Sequence, residues 1–125
     1  TEFKHSPEFI NYIVLQMTDY IQLIFKAKND CCIICSPKRR TQVNNVAENI
    51  AKQCAENTGI TFYQDAINAG NRDRYNPNFT LNMEINESTI ILIDDILTTG
   101  QTIDKCVSLF ENKNIIVLIG LRNKY

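Results

Sequence analysis

Asp94 and Asp95 stand side by side at the end of the apolar run Ile90-Ile91-Leu92-Ile93, and Ile96-Leu97 separates them from Thr98-Thr99-Gly100-Gln101-Thr102. A phosphate monoester dianion needs many hydrogen-bond donors and no Cβ in the way. A glycine-containing loop that runs into a helix N-terminus meets both needs, through backbone N–H groups and threonine hydroxyls. One helix terminus favours an anion by about 0.3–1 kcal/mol, up to ~2 when partly buried, so several contacts must add to hold a phosphate. Adjacent carboxylates repel each other and call for polar partners. The hydroxyls of a sugar diol fit that need, each donating to one acid while the sugar's phosphate lies in the Thr-Thr-Gly loop. Asp94, Asp95, Thr98, Thr99, Gly100, Gln101 and Thr102 are therefore the candidate binding residues. The plain alternative is a solvated strand-to-helix turn with a capping threonine. Against it, Asp, Asp, Thr, Thr, Gly and Thr at these six positions would arise by chance on the order of once in 10⁷ start positions.

The elements that must position these residues follow from spacing. Ser6-Pro7-Glu8 reads as a helix start, with Ser6 as N-cap and Pro7 where its missing N–H does no harm. Ile10, Ile13, Val14, Met17, Ile21 and Ile24 form one apolar stripe, which Lys26 to Asp30 break. Cys31 to Cys35 suits a short buried strand that Ser36-Pro37 ends. Val43, Val46, Ala47, Ile50, Ala51, Cys54 and Ala55 mark a second helix, with Asn57-Thr58-Gly59 as its stop. Ile60 to Ile67 reads as a strand, and Asn68 to Asn82 as a long loop without periodicity. Thr89 to Ile93 has the continuous apolar character of a parallel strand covered on both faces. Ile103, Cys106, Val107 and Phe110 mark a third helix, and Asn114 to Leu121 a last buried strand. This alternation predicts an α/β fold, a mostly parallel sheet flanked by helices, with ligands outside the carboxyl ends of the strands.

The strand-acid-acid-Thr-Thr-Gly-x-Thr pattern resembles the motif with which type I phosphoribosyltransferases bind 5-phosphoribosyl-1-diphosphate (PRPP). Within that family the chain is most similar to ComF-like competence proteins. The weaker matches are Val43-Asn44-Asn45-Val46-Ala47, the Arg74, Asn76 and Phe79 cluster, the Phe79-to-Asp94 spacing and Leu121-Arg122. The resemblance covers about Cys31 to Tyr125 and implies one domain over residues 1–125, with an N-terminal helix in 1–29 and a PRPP-binding core in 31–125. ComF-like chains commonly carry an N-terminal zinc-binding cysteine cluster, which this chain replaces by a helix, so it reads as a truncated or minimal version. In 6-oxopurine phosphoribosyltransferases an acidic residue contacts the base from the place of Thr98, which argues against that substrate class.

The resemblance also implies roles outside the motif. Lys38 and Arg39, with Arg40 beside them, fall where the family has a diphosphate-contacting loop, although clustered cations are usually a solvated patch. Arg72 and Arg74, with Tyr75, fall in the segment corresponding to the catalytic flap, where closure would exclude water and strengthen their field on the leaving diphosphate. The implied reaction is displacement of diphosphate by a nitrogenous acceptor, with Asp94, Asp95, Arg72 and Arg74 as catalytic residues. Mg²⁺ is the implied cofactor, carried in by PRPP with Asp94 and Asp95 as further contacts rather than held by protein ligands alone. The alternative is a non-catalytic PRPP-binding accessory of DNA uptake. Lys38 to Arg40 and Arg72 to Arg74 would also suit single-stranded DNA, with Tyr75 for stacking.

Bulk properties narrow the partners. The 125 residues include 13 basic and 14 acidic side chains, so no global field steers the chain toward nucleic acid or an anionic membrane. No apolar run approaches the roughly 20 residues that span a bilayer, and Thr1 to Ser6 lack a signal-peptide pattern, so the expected location is cytoplasmic without membrane contact. Five cysteines, Cys31, Cys32, Cys35, Cys54 and Cys106, sit mostly at apolar positions and read as buried thiols. Cys32 and Cys35 have the spacing of a zinc knuckle, but a strand would send them to opposite faces. The single His5 has no evident partner.

Overall fold

A computed structural model describes residues 6–25, 30–37, 45–69, 79–97 and 101–122. The Ser6 side chain accepts from the Phe9 N–H at 3.1 Å, and helix α1 runs over Pro7–Ile24 with Phe9, Ile13, Val14, Met17 and Ile21 buried. Strand β1 (Cys31–Cys35) is buried along its whole length. Helix α2 (Val46–Thr58) is capped by Asn45, whose side chain accepts from the Glu48 N–H at 3.1 Å, and ends at Gly59 with φ +77°. That left-handed conformation suits glycine, which has no Cβ to clash.

The central sheet has the order β2-β1-β5-β6 and is parallel throughout, formed by β2 (Thr61–Phe62), β1, β5 (Thr89–Leu97) and β6 (Asn114–Arg122). Its two faces are legible in β1 and β5. Cys31, Ile33, Cys35, Ile91 and Ile93 pack with α1 and α2, whereas Cys32, Ile34, Ile90 and Leu92 pack with Cys106 and Phe110 on the other side. Helix α3 (Gln101–Val107) supplies Cys106 to that second face. Ile33, Ile34, Ile90, Ile91, Leu92 and Ile93 are fully buried, and each stabilises the fold by about 1.5–3 kcal/mol relative to exposure. Cys32 and Cys35 thus lie on opposite faces of one sheet, as strand alternation requires.

Several segments differ from the sequence expectations: β6, expected as a buried strand, lies at the sheet edge with half-buried residues, and α3 ends at Val107, short of Phe110. The strand expected over Ile60 to Ile67 stops after Phe62, because the chain turns at Gln64 and Asp65, the latter at φ +55°. The segment read as a loop from Asn68 to Asn82 carries an antiparallel pair, β3 (Ile67–Ala69) with β4 (Phe79–Leu81), whose last register pair is Ala69 with Phe79. Ala66, Ile67 and Phe79 anchor this stem to the α3 face of the sheet. Strand β5 runs on to Leu97 instead of ending at Ile93, since β6 keeps pairing with it through Asp94–Ile119, Ile96–Leu121 and Leu97–Arg122. At the opposite edge of the sheet, Tyr63 Oη donates to both carboxylate oxygens of Glu87, at 3.0 and 2.8 Å, tying the end of β2 to the residues that lead into β5. Among the described residues no helix is long and apolar enough to cross a membrane.

Candidate functional site

The acid pair sits where β1 ends and β5 continues. Cys35 pairs with Ile93, so Asp94 is the first residue of β5 beyond the last β1 register pair, while β6 still lies alongside. Asp94 and Asp95 are only 6% and 5% exposed, an unusual placement for two carboxylates in sequence. Ser36, 4% exposed at the end of β1, bonds back to this point twice. Its N–H donates to the Ile93 carbonyl at 3.0 Å, and its hydroxyl donates to Asp94 Oδ1 at 2.8 Å. The Asp95 N–H donates to the same oxygen at 2.8 Å.

Burial raises the Asp94 carboxyl from its ordinary 3.8 to about 6; the Asp95 side chain pushes the same way, and Ser36 and the Asp95 amide counteract it. The pair therefore resists carrying full negative charge on its own. No three side chains of the His, Cys, Asp and Glu types come together in a way that could hold a metal ion among the described residues. Burial keeps the thiols of β1 and α3 in their protonated form near neutral pH. Burial pushes Cys32, Cys35 and Cys106 up to about 12, with Glu87, Glu48 and Asp94 respectively as the leading charged contributors. A thiol held protonated is a poor nucleophile and a poor ligand.

Helix α3 begins at Gln101, six residues after Asp95, and includes Thr102, which is half-buried in its first turn. Thr98, Thr99 and Gly100 lie outside the described residues, as do Lys38, Arg39, Arg40, Arg72, Arg74 and Tyr75. Of Gln101 the backbone alone is described. Pro37 and Asn45, which flank residues 38–44, are described, and Asn45 Nδ2 reaches the Ser36 carbonyl at 3.5 Å. The described residues that flank positions 38–44 therefore both lie beside Ser36, which contacts Asp94.

Two residues of this region escaped sequence reasoning. Ser36 carried no signal beyond its place before a proline. Gly120 is needed because an added Cβ would come within 3.0 Å of the Asp95 carbonyl oxygen and 3.3 Å of Ile13 Cγ2. Backbone on one side and a core isoleucine on the other leave little room to yield. Gly120→Ala is expected to destabilise the protein by about 1–3 kcal/mol, the usual range for overpacking, in a denaturant titration. An unchanged midpoint would mean that β5 shifts freely at Asp95.

The architecture defines a class: a parallel α/β fold of the type I phosphoribosyltransferase kind. Solved structures similar to this chain include a hypoxanthine phosphoribosyltransferase from Staphylococcus aureus, with a TM-score of 0.64 and 14% identity over 95% of this chain and 76% of that one. A hypoxanthine-guanine phosphoribosyltransferase from Bacillus anthracis gives 0.66 and 15%, over 95% of this chain and 80% of that one. Adenine phosphoribosyltransferase from Leishmania tarentolae gives 0.59 and 16%, over 91% of this chain and 56% of that one. At such identities the likeness establishes the fold. No protein-family model matches the sequence, and no curated protein matches it.

Proposed function

We propose that the carboxyl edge of β1 and β5 binds PRPP and that the protein transfers its phosphoribosyl group to a nucleobase, releasing diphosphate. The observation that carries this reading is the buried Asp94–Asp95 pair at the carboxyl end of a central parallel strand, a few residues ahead of α3, in a chain folded like phosphoribosyltransferases. A nucleobase is the acceptor class named in the similar structures, and the ComF-like features of the sequence are compatible with the same ligand.

In this reading Asp94 and Asp95 accept hydrogen bonds from the ribose diol, and residues Thr98 to Thr102 surround the 5′-phosphate with amide and hydroxyl donors. The C1′–oxygen bond to diphosphate breaks, its electron pair leaving with diphosphate, as the bond from C1′ to the base nitrogen forms and the ring N–H proton of the base passes to solvent or to diphosphate. The protein's contribution is positional and electrostatic, with no covalent intermediate on a side chain. Lys38 and Arg39 would hold the diphosphate, and Arg72 and Arg74 would stabilise the charge that develops on it. Asp94 and Asp95 would be the protein groups to contact Mg²⁺ carried in by PRPP, an ion that prefers substrate phosphates and water to an all-protein cage. When bound, Mg²⁺ would supply charge neutralisation on the leaving group.

Thermal melts with PRPP, with and without Mg²⁺, test the binding step. Ligand at about 100 times its dissociation constant adds ~2.7 kcal/mol, which for a domain of this size raises Tm by on the order of 10 °C. Diphosphate release over a panel of adenine, guanine, hypoxanthine and pyrimidine bases tests the transfer. No Tm change with millimolar PRPP in either condition would reject the reading.

A further inference from the structure

We propose that Ser36 is a positioning residue of the sugar site, fixing the orientation in which the Asp94 carboxylate receives the ribose diol. The inference rests on the PRPP reading above and adds to it a residue that touches no substrate.

The geometry singles out Ser36 in three ways. Its hydroxyl donates to Asp94 Oδ1 at 2.8 Å across a sequence separation of 58 residues. The Asp95 N–H reaches that same oxygen at 2.8 Å, so one donor from β5 and one from the residue that follows β1 converge on one carboxylate oxygen. A carboxylate gripped by one donor can swing about its terminal torsion, which is broad and roughly two-fold, whereas two convergent donors hold its plane. The serine is itself immobilised, 4% exposed and bound through its own N–H to the Ile93 carbonyl at 3.0 Å. Its backbone is therefore held at the point from which the hydroxyl donates to Asp94.

A second consequence concerns which atoms stay available. Oδ1 accepts from Ser36 and from the Asp95 amide, and the Asp95 side chain also hydrogen-bonds the Asp94 carboxyl, so Ser36 sets one side of an acid pair that the diol must engage as a unit. Loss of the serine hydroxyl would remove one of the two donors on Oδ1 and loosen the orientation of the carboxylate. The diol would then meet an acceptor that must be reoriented on binding, at a cost in affinity. A purely structural serine would instead affect stability and leave the intrinsic affinity for the sugar unchanged.

The test compares PRPP affinity by calorimetry in the full chain and in Ser36→Ala, Ser36→Thr and Ser36→Val. Thr and Val have nearly the same volume, so their comparison isolates the hydroxyl even where Ser36→Ala fails to fold. Ser36→Val and Ser36→Ala are expected to weaken PRPP by about tenfold or more, the scale of a hydrogen bond to a charged group, with Ser36→Thr retaining most of the affinity. In an Asp94→Ala background, which leaves no oxygen for Ser36 to orient, Ser36→Ala is expected to change the residual affinity by less than about twofold. If the unsubstituted protein binds no PRPP, the function proposed above fails. If it binds PRPP but Thr and Val bind it equally, or Ser36→Ala costs as much in the Asp94→Ala background as alone, the positioning role is overturned and the function stands.

Discussion

Replacing Asp94 and Asp95 together by asparagine is expected to abolish PRPP binding while the protein stays folded. Each aspartate in the proposed complex accepts from a sugar hydroxyl as a charged group, and such hydrogen bonds contribute about 1.5–3 kcal/mol each. Losing both predicts an affinity loss of roughly 10² to 10⁴, beyond detection for a ligand of ordinary micromolar affinity. The fold should survive because Asp94 is held by the Ser36 hydroxyl and the Asp95 amide, two donors from which an asparagine oxygen can also accept. Calorimetry together with a far-ultraviolet circular dichroism melt decides the matter. Unchanged affinity would reject the assignment of the diol to these acids, and a lost melt would show that the pair is needed to build the sheet instead.

The contrast between what was readable in the chain and what was not has physical causes. Helix α1 announced itself because its start is local chemistry, Ser6 capping Phe9 with Pro7 at the first turn, and its buried stripe has helical spacing. The end of α2 was equally local, written by Gly59 in the left-handed region. The place of the acids beyond a buried apolar run was legible because the run Ile90 to Ile93 is continuous in sequence. The end of β5 was not, since charge suggested a stop at Asp94 whereas the ladder to β6 carries the strand to Leu97. A ladder is a long-range fact. The stem of β3 and β4 was hidden for the same reason: Ala69 and Phe79 pair across residues rich in Asn, Gly and Arg that carry no periodicity. Ser36 and Gly120 matter only through residues far off in sequence, Asp94 and Asp95 on one side and Ile13 on the other. The basic residues Lys38, Arg39, Arg72 and Arg74 lie outside the described residues, and their roles are expectations tied to the family pattern.

A pH series should show that the acid pair weakens the fold it belongs to. Asp94 moves from 3.8 to about 6 on folding, first through burial and then through Asp95, so between those values the folded protein keeps a proton that the unfolded chain has lost. The state that binds more protons gains as pH falls. Stability from this group is thus highest below about pH 4, declines as pH rises toward 6, and then levels off. The full penalty above pH 7 is on the order of 2–3 kcal/mol, since a tenfold change in proton affinity corresponds to about 1.36 kcal/mol. Asp94→Asn removes the ionisable group while leaving an oxygen for Ser36 and the Asp95 amide. The variant should match the natural protein at pH 4, and exceed it in urea denaturation at pH 7.5 by an amount of that order. A difference that is flat with pH, or a variant less stable at both values, would show that Asp94 is compensated within the apo fold. The expected outcome, gained stability coupled to lost PRPP affinity, marks a buried charge whose cost is offset when a ligand supplies the missing hydrogen-bond donors.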